Sequence, residues 1–395
     1  MFNNCKNLQS LDLASFKTNL VENMEYMFSN CNSIVSINNL NNCDTSSVTN
    51  MEYMFNECNN LKSIDLNKFK TNNVKSMAYM FNNCNSIESI TNLDNFDTSE
   101  VQNMEYMFNK CKDLKSLDLN AFKTSKVENM AYMFNDCNSI TSISNLGNFD
   151  TSSVTNMEYM FNNCNNLLSL DLTAFKTNKV ENMKYMFSNC NSLQSINNLN
   201  NFDTSSVENM EYMFNKCKNL QSLNLNAFKT NQVENMAYMF NDCESITSIA
   251  NLGNFDTSAV TRMEYMFNNC KNLQSLDLAS FKTNIVENME YMFSNCNSIV
   301  SINNLNNFDT SSVTNMECMF NECNNLKSID LNKFKTNNVK SMAYMFNNCN
   351  SIESITNLDN FDTSEVINME YMFNKCKDLK SLNLNAFNTN KVQNK

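Results

Sequence analysis

Cysteine is the residue type with the most obvious chemical potential in this sequence. Of the 17 cysteines, fifteen follow a Met-Phe pair in the pattern M-F-x-x-C. Such a regular array has two interpretations, a metal or disulfide array and a buried column of thiols. The fifteen positions, which we call the cysteine ladder, are Cys5, Cys31, Cys58, Cys84, Cys111, Cys137, Cys164, Cys190, Cys217, Cys243, Cys270, Cys296, Cys323, Cys349 and Cys376.

The buried column is the better interpretation. The chain has no histidine and no C-x-x-C pair that would complete a zinc site. Equivalent side chains in stacked coils keep their Cβ atoms about 4.8 Å apart, beyond the usual disulfide span of about 3.5–4.5 Å. We therefore predict a structural cysteine ladder and no cofactor. Cys43 and Cys318 lie off this ladder, where other coils have Phe and Tyr.

A second column, between a Phe and a Thr, alternates strictly between lysine and aspartate. Alternating signs in adjacent coils predict a structural charge ladder that fixes register, with about 0.2–1 kcal/mol for each exposed pair. The alternative, a charged strip that a partner recognises, is less favoured because balanced charge attracts little at long range. The charge ladder comprises Lys17, Asp44, Lys70, Asp97, Lys123, Asp150, Lys176, Asp203, Lys229, Asp256, Lys282, Asp309, Lys335 and Asp362.

The aspartates of the Leu-Asp-Leu segments, such as Asp12 and Asp65, suggest calcium binding only weakly. Calcium needs several oxygens that converge on one point, usually around a glycine turn, and the chain has two glycines in all. Without histidine, the commonest general base is also missing. We predict that the chain holds no metal and is not an enzyme.

Charge and hydropathy exclude further classes. The formal net charge is −12, whereas nucleic-acid binding needs a basic surface. No run of apolar residues is long enough to span a membrane. The expected partner is therefore another protein or a second copy of the chain, with no nucleic acid and no membrane insertion by this segment.

Internal repetition indicates the elements that position these columns. Met-Phe pairs recur with spacings that alternate between 26 and 27 residues, which gives about fifteen coils grouped into 53-residue double units. Residues 1–130 recur almost unchanged as 266–395. We predict a single continuous solenoid over 1–395 with no cap domains.

Each coil reads as two halves. Leu61, Ile64 and Leu66 follow the L-x-x-L-x-L spacing of a leucine-rich-repeat strand. The apolar residues from Val74 to Cys84 fall on one face of a short helix. The predicted fold is thus an α/β repeat solenoid, leucine-rich-repeat-like, with a strand and a short helix in each coil. In the 27-residue coils, one extra residue after the strand predicts a bulge or a wider turn.

Three other columns have structural and functional interpretations. The column of methionines that includes Met104 and Met107 favours a buried core over a pliable binding surface. The tyrosine column, which includes Tyr26 and Tyr79, suggests either an exposed aromatic strip or the edge of the core. The threonine that is present in every coil suggests an ice-binding surface, but a role in the turns explains this residue better.

The repeat resembles that of the BspA-like leucine-rich-repeat surface proteins. The matching segments are V-T-N-M-E-Y-M-F at 48–55 and F-D-T-S at 96–99, and similar segments recur along the whole chain. The resemblance implies a non-catalytic cell-surface or extracellular protein, often adhesive, and transfers no binding residue. Alternate coils depart from that pattern, with Phe-Lys-Thr in place of Phe-Asp-Thr.

Two functional hypotheses follow. The first is a non-catalytic cell-surface scaffold for adhesion or protein binding. The second is a self-assembling structural protein that forms an extracellular fibre or filament by end-to-end stacking of coils. The first is the leading hypothesis. Near-uniform coils without caps support the second as the alternative, because each coil of a fibre is a potential junction.

Overall fold

The fold was determined from a computed structural model, which describes residues 1–394. The chain forms two compact units, Met1–Phe202 and Asp203–Lys395. Within each unit the backbone winds through successive coils that stack on one another. Each coil has an apolar side that it cannot bury alone, so stacking supplies the core.

One three-residue strand belongs to each of fourteen coils. In most strands the middle Leu or Ile points inward between exposed neighbours, as in Ser63–Asp65. The strands of the first unit are β1 Ser10–Asp12, β2 Ser36–Asn38, β3 Ser63–Asp65, β4 Ser89–Thr91, β5 Ser116–Asp118, β6 Ser142–Ser144, β7 Ser169–Asp171 and β8 Ser195–Asn197. Those of the second unit are β9 Ser222–Asn224, β10 Ser248–Ala250, β11 Ser275–Asp277, β12 Ser301–Asn303, β13 Ser328–Asp330 and β14 Ser354–Thr356.

Strands pair in twos, and each pair is parallel and in register. β3 and β4, for example, align Ser63 with Ser89 and Asp65 with Thr91. Each two-stranded sheet joins an odd-numbered strand to the even-numbered strand that follows it. The 53-residue double unit of the sequence is therefore also a structural unit.

The extra residue of each 27-residue coil forms a wider turn, as the sequence predicts. It is an asparagine in the left-handed region, with φ between 56° and 65°, the conformation that Asn tolerates better than most residues. A short 3-10 helix follows it each time. These helices are Leu40–Asn42, Leu93–Asn95, Leu146–Asn148, Leu199–Asn201, Leu252–Asn254, Leu305–Asn307 and Leu358–Asn360.

The predicted helix in each coil is wrong. An α-helix needs a φ near −63° and a bond from each N–H to the carbonyl four residues earlier. Tyr53 instead has a φ of 55° and Glu57 a φ of 59°. The segment is a run of four-residue turns, closed by bonds such as Met54 N–H to the Met51 carbonyl at 3.3 Å. The fold is a β-solenoid with minimal helix.

The remaining N–H groups of this segment bond to the next coil. Those of Met51, Tyr53 and Phe55 donate to carbonyls one coil further on, at 3.1, 3.0 and 2.9 Å. Every second residue of this segment thus bonds to the next coil. These bonds form a second row of inter-coil hydrogen bonds, in addition to those of the strands. The apolar spacing that suggested a helix serves these turns equally well, because it also directs every third or fourth side chain inward.

Aromatic columns fill the core between the two hydrogen-bonded edges. In the first unit, the Met-Phe phenylalanines from Phe2 to Phe187 stack with ring centroids 5.3–5.8 Å apart. Met104 and Met107 are fully buried, which confirms the methionine column as core.

Buried polar columns also join the coils. In the first unit the Asn135 amide donates to the Asn109 oxygen at 2.7 Å, and Asn162 donates to Asn135 at 2.7 Å. We call this column the amide ladder. The Thr98 hydroxyl donates to the Lys123 carbonyl at 2.9 Å and accepts from the Lys123 N–H at 2.7 Å. Because Thr98 is fully buried, the threonine column is an inter-coil staple, which excludes an ice-binding surface.

Candidate binding surface

The cysteine ladder lies in the core. Its members are free thiols and are buried, except for the half-buried Cys5 and Cys376. Cys84 and Cys349 donate to Phe carbonyls of the preceding coil at 3.1 and 3.0 Å. Burial raises the pKa of Cys84 and Cys137 to about 12. A thiol with this pKa is protonated at neutral pH and is a poor nucleophile.

We expect the native protein to resist thiol alkylation. At pH 8 iodoacetamide should label fully only after denaturation, because burial blocks access and a pKa of about 12 suppresses the thiolate. Mass spectrometry of the labelled chain measures this. Peptides that contain Cys5 or Cys376 serve as internal controls, since those side chains are partly exposed. Rapid native labelling of Cys137 would contradict the buried-thiol interpretation.

The charge ladder forms separate ion pairs. In five places a lysine ammonium lies 3.1–3.5 Å from the aspartate one coil before it, as Lys123 does from Asp97. Hydrogen bonds from Ser99, followed by the charge of Lys123, hold the pKa of Asp97 below its usual value. The aspartates therefore also organise the Asp-Thr-Ser turn. Their role in fixing register stays a prediction.

Asp150→Lys tests that role. The substitution places three cations, at 123, 150 and 176, in adjacent coils of the first unit. We expect a larger loss of melting temperature at low salt than at high salt, because ions screen exposed charges. Asp150→Asn is the control, since it keeps the size of the side chain and adds no cation. A loss that does not depend on salt would refute the register argument.

The aspartates of the Leu-Asp-Leu segments hold the left-handed turns of the next coil. The Asp12 carboxylate accepts a hydrogen bond from the Asn39 amide at 2.7 Å, and Asp65 accepts one from Asn92 at 2.6 Å. This pairing explains why Asp alternates with neutral residues, since only alternate coils have the extra Asn. Within residues 1–394, no three His, Cys, Asp or Glu side chains form a group that could hold a metal ion.

The tyrosine column is a stack at the edge of the core. In the first unit, rings from Tyr26 to Tyr185 lie 4.3–4.6 Å apart, so each ring face covers the next. Most of these rings are only part-exposed. Ring edges, not faces, therefore meet the solvent. In the second unit Cys318 takes the place of one ring and keeps the same φ of 55°.

Cys43 borders a shallow depression of about 550 Å³. At the duplicated position in the second unit, Phe308 fills the equivalent place, and the depression beside it measures about 360 Å³. Cys43 itself is 1% exposed. The larger volume accompanies the smaller side chain, and the lining includes both polar and apolar groups.

The exposed residue just before each strand, or before the equivalent Ser381 of the last coil, forms a column whose chemistry changes from coil to coil. Lys115 lies 2.8 Å from Glu88, whereas Leu168 is a 50% exposed apolar side chain in the same column. The adjacent strand position is Ser in every coil. We call this column the strand-edge column: Gln9, Val35, Lys62, Glu88, Lys115, Thr141, Leu168 and Gln194 in the first unit, and Gln221, Thr247, Gln274, Val300, Lys327, Glu353 and Lys380 in the second.

Sequence reasoning missed the strand-edge column, although the signal was available. The columns directly before and after it are Leu or Ile and Ser, whereas this column includes acidic, basic, amide, hydroxyl and aliphatic side chains. Two exposed columns of the turn segment, which begin at Leu20 and Glu22, vary in a similar way. Variation at an exposed position between two constant ones indicates a surface whose composition is not dictated by the core. An exposed row of this kind can contact an extended partner.

Comparison with known families covers the whole chain. The family described as "Mycoplasma protein of unknown function, DUF285" matches residues 1–94, 88–198, 183–301 and 298–395. The chain belongs to the DUF285 family. The four matched segments overlap or adjoin one another, as expected for tandem coils. The family description names no activity.

Solved structures show the fold of this DUF285 protein. A leucine-rich repeat protein from Bacteroides ovatus is similar with a TM-score of 0.57 and 19% identity, over 96% of this chain and 79% of that one. A leucine-rich cell surface protein from Faecalibacterium prausnitzii has a TM-score of 0.39 and 18% identity, over 81% and 78%. The first similarity establishes a leucine-rich-repeat-like solenoid.

No curated protein matches this DUF285 chain. The described residues contain no helix that is both long and apolar enough to cross a membrane.

Proposed function

We propose that this DUF285 protein is a non-catalytic scaffold that binds protein partners at the cell surface and takes part in adhesion. The strand-edge column supports the proposal, since it displays variable side chains on a rigid repeated frame. The resemblance to BspA-like surface proteins supports the location and the adhesive role. Inter-coil bonds, such as that from the Glu88 N–H to the Lys62 carbonyl at 2.8 Å, hold the backbone of this column, so its spacing is set before a partner arrives.

A biosensor experiment with a panel of purified extracellular-matrix and cell-surface proteins tests the proposal. One variant replaces strand-edge residues by serine: Val35, Lys62, Glu88, Lys115 and Leu168. A matched variant replaces five exposed residues of the turn segment by serine: Glu22, Thr49, Lys75, Gln102 and Glu128. Binding should be lost in the first variant and kept in the second. Equal binding by both variants, or equal loss, would overturn the proposed surface.

The second candidate function is self-assembly into a fibre. The observation that favours it is the repetition of the same inter-coil bonds, which a coil of another chain could reproduce. Thr98 and the amide ladder, for example, present bonding groups that do not depend on a particular coil. Electron microscopy in reducing buffer separates the candidates. Filaments with a repeat of about 4.8 Å would favour the fibre, and discrete particles would exclude it.

A further inference from the structure

A column of glutamates runs beside the tyrosine column and is interrupted by alanine. Lys184 also interrupts the column, between Glu158 and Glu211. The alanines are Ala78, Ala131, Ala237 and Ala343, and each has a glutamate one coil before it and one coil after it. We call each such site a glutamate notch. The bordering pairs are Glu52 and Glu105, Glu105 and Glu158, Glu211 and Glu264, and Glu317 and Glu370.

One notch is filled by the single arginine of the chain. Arg262 lies one coil after Ala237, and its Nε donates to Glu264 Oε1 at 2.8 Å, with a further bond from Nη2. Nη1 lies 3.8 Å from Glu211 Oε1, on the far side of the notch. The guanidinium therefore bridges two coils across the alanine.

Both carboxylates beside Arg262 are buried. Glu211 and Glu264 are 7% and 5% exposed, although the Arg262 side chain itself remains 51% exposed. Glu264 Oε2 is buried without a hydrogen-bond partner. The notch thus has acceptors for more than one donor, which suits the planar, multi-donor fork of a guanidinium better than an ammonium.

The notch over Ala131 is an open twin of the Arg262 notch. Its three coils have the same residues from the buried Val to the Cys, except that Asn156 replaces Arg262 and Gln102 replaces Glu208. Glu105 and Glu158 are only half-buried here. They accept hydrogen bonds from the neutral amides of Asn129 and Asn182, at 2.6 and 2.7 Å.

The other two open notches, over Ala78 and Ala343, also have neutral hydrogen-bond donors. Glu52 and Glu317 accept from the hydroxyls of Ser76 and Ser341. The open notches thus have hydroxyl and amide donors on their glutamates, whereas the notch over Ala237 has Arg262.

We propose that the three open glutamate notches bind arginine side chains of a partner protein. Each arginine occupies its notch as Arg262 does, with its guanidinium between two glutamates of alternate coils. The net charge of −12 attracts a basic segment. This surface lies on the turn segment of the coil, and it does not depend on the strand-edge column.

The spacing of the notches predicts the spacing of the arginines in the partner's sequence. The notches over Ala78 and Ala131 are two coils apart in the first unit, which corresponds to about 10 Å. A peptide in the polyproline II conformation rises about 3.1 Å for each residue and has three residues per turn, so every third side chain lies on the same side. An arginine at every third residue of such a segment therefore matches successive notches.

Fluorescence anisotropy with a labelled peptide that has arginine at every third position and alanine elsewhere tests the proposal on the full chain. The closing variant combines Asn103→Arg, Asn156→Arg and Asn368→Arg, which reproduces the Arg262 arrangement in every open notch. We expect it to weaken binding by about tenfold or more. Circular dichroism checks that the variant folds, as the native Arg262 coil indicates it should.

A charge-matched control combines Gln102→Arg, Thr155→Arg and Ile367→Arg, the exposed residues immediately before the three asparagines. It should weaken binding less than the closing variant. Equal weakening would mean that only overall charge matters and would overturn the notch. Equal affinity for a peptide with lysine in place of arginine would do the same.

Arg262→Asn provides the opposite test. It opens the fourth notch, and calorimetry should show additional peptide bound to each chain. No change in stoichiometry or affinity would contradict the proposal. The serine variant of the strand-edge column should bind the peptide as the native protein does, so failure of this proposal is distinguishable from failure of the proposed scaffold function.

Discussion

Replacing Asn135 by leucine should lower the free energy of unfolding by about 2–6 kcal/mol, because two buried polar groups lose their partners. The Asn109 oxygen loses its donor, and the Asn162 amide loses its acceptor. Asn109 and Asn162 are 4% and 5% exposed, so water does not replace the lost bonds readily. Urea denaturation followed by circular dichroism measures the change.

The chain itself offers a control for this substitution. Ser29 occupies the same column in an earlier coil and accepts from the Asn56 amide at 3.2 Å. Asn135→Ser should therefore cost much less than Asn135→Leu. Similar losses for both variants would mean that packing volume, and not the amide bonds, determines the stability of this column.

Thr98→Val should produce the second large effect, a loss of about 2–4 kcal/mol. Valine keeps the shape of threonine but removes the hydroxyl that bonds to both the N–H and the carbonyl of Lys123. In a solenoid, stability is approximately a sum of coil and interface contributions. The weakened interface should also broaden or split the thermal unfolding transition measured by calorimetry.

Thr98→Ser keeps the hydroxyl and removes only a methyl group. It should recover most of the stability that Thr98→Val loses. If the serine variant is as unstable as the valine variant, then the methyl contact is the important interaction, and the inter-coil staple contributes little.

The strands and the buried columns could be predicted because both depend on local alternation. Leu61, Ile64 and Leu66 point inward in any short extended segment with that spacing, and stacking repeats the result. The helix could not be excluded in this way, because its period and that of consecutive turns place the same residues inward. The decisive feature is the positive φ at Tyr53 and Glu57, which residue type alone does not indicate.

The candidate surfaces were harder to predict than the core. The strand-edge column could be found from its variability, but a constant column attracts attention first. Arg262 was visible as the single arginine, in a column that has Asn or Ser in the other coils. Its role as a bridge depends on two glutamates that lie in different coils. Only the stacked structure brings Glu211 and Glu264 to the same guanidinium.

The direction of the inter-coil bonds has a mechanical consequence. Bonds such as that from the Tyr53 N–H to the Ala78 carbonyl run from coil to coil within a unit, so tension along the stacking direction acts on the interfaces in series and opens the weakest one first. Bonds loaded in sequence open at lower force than bonds loaded together in shear. Each coil that opens releases about 90 Å of extended chain. We therefore expect such a unit to yield coil by coil under load.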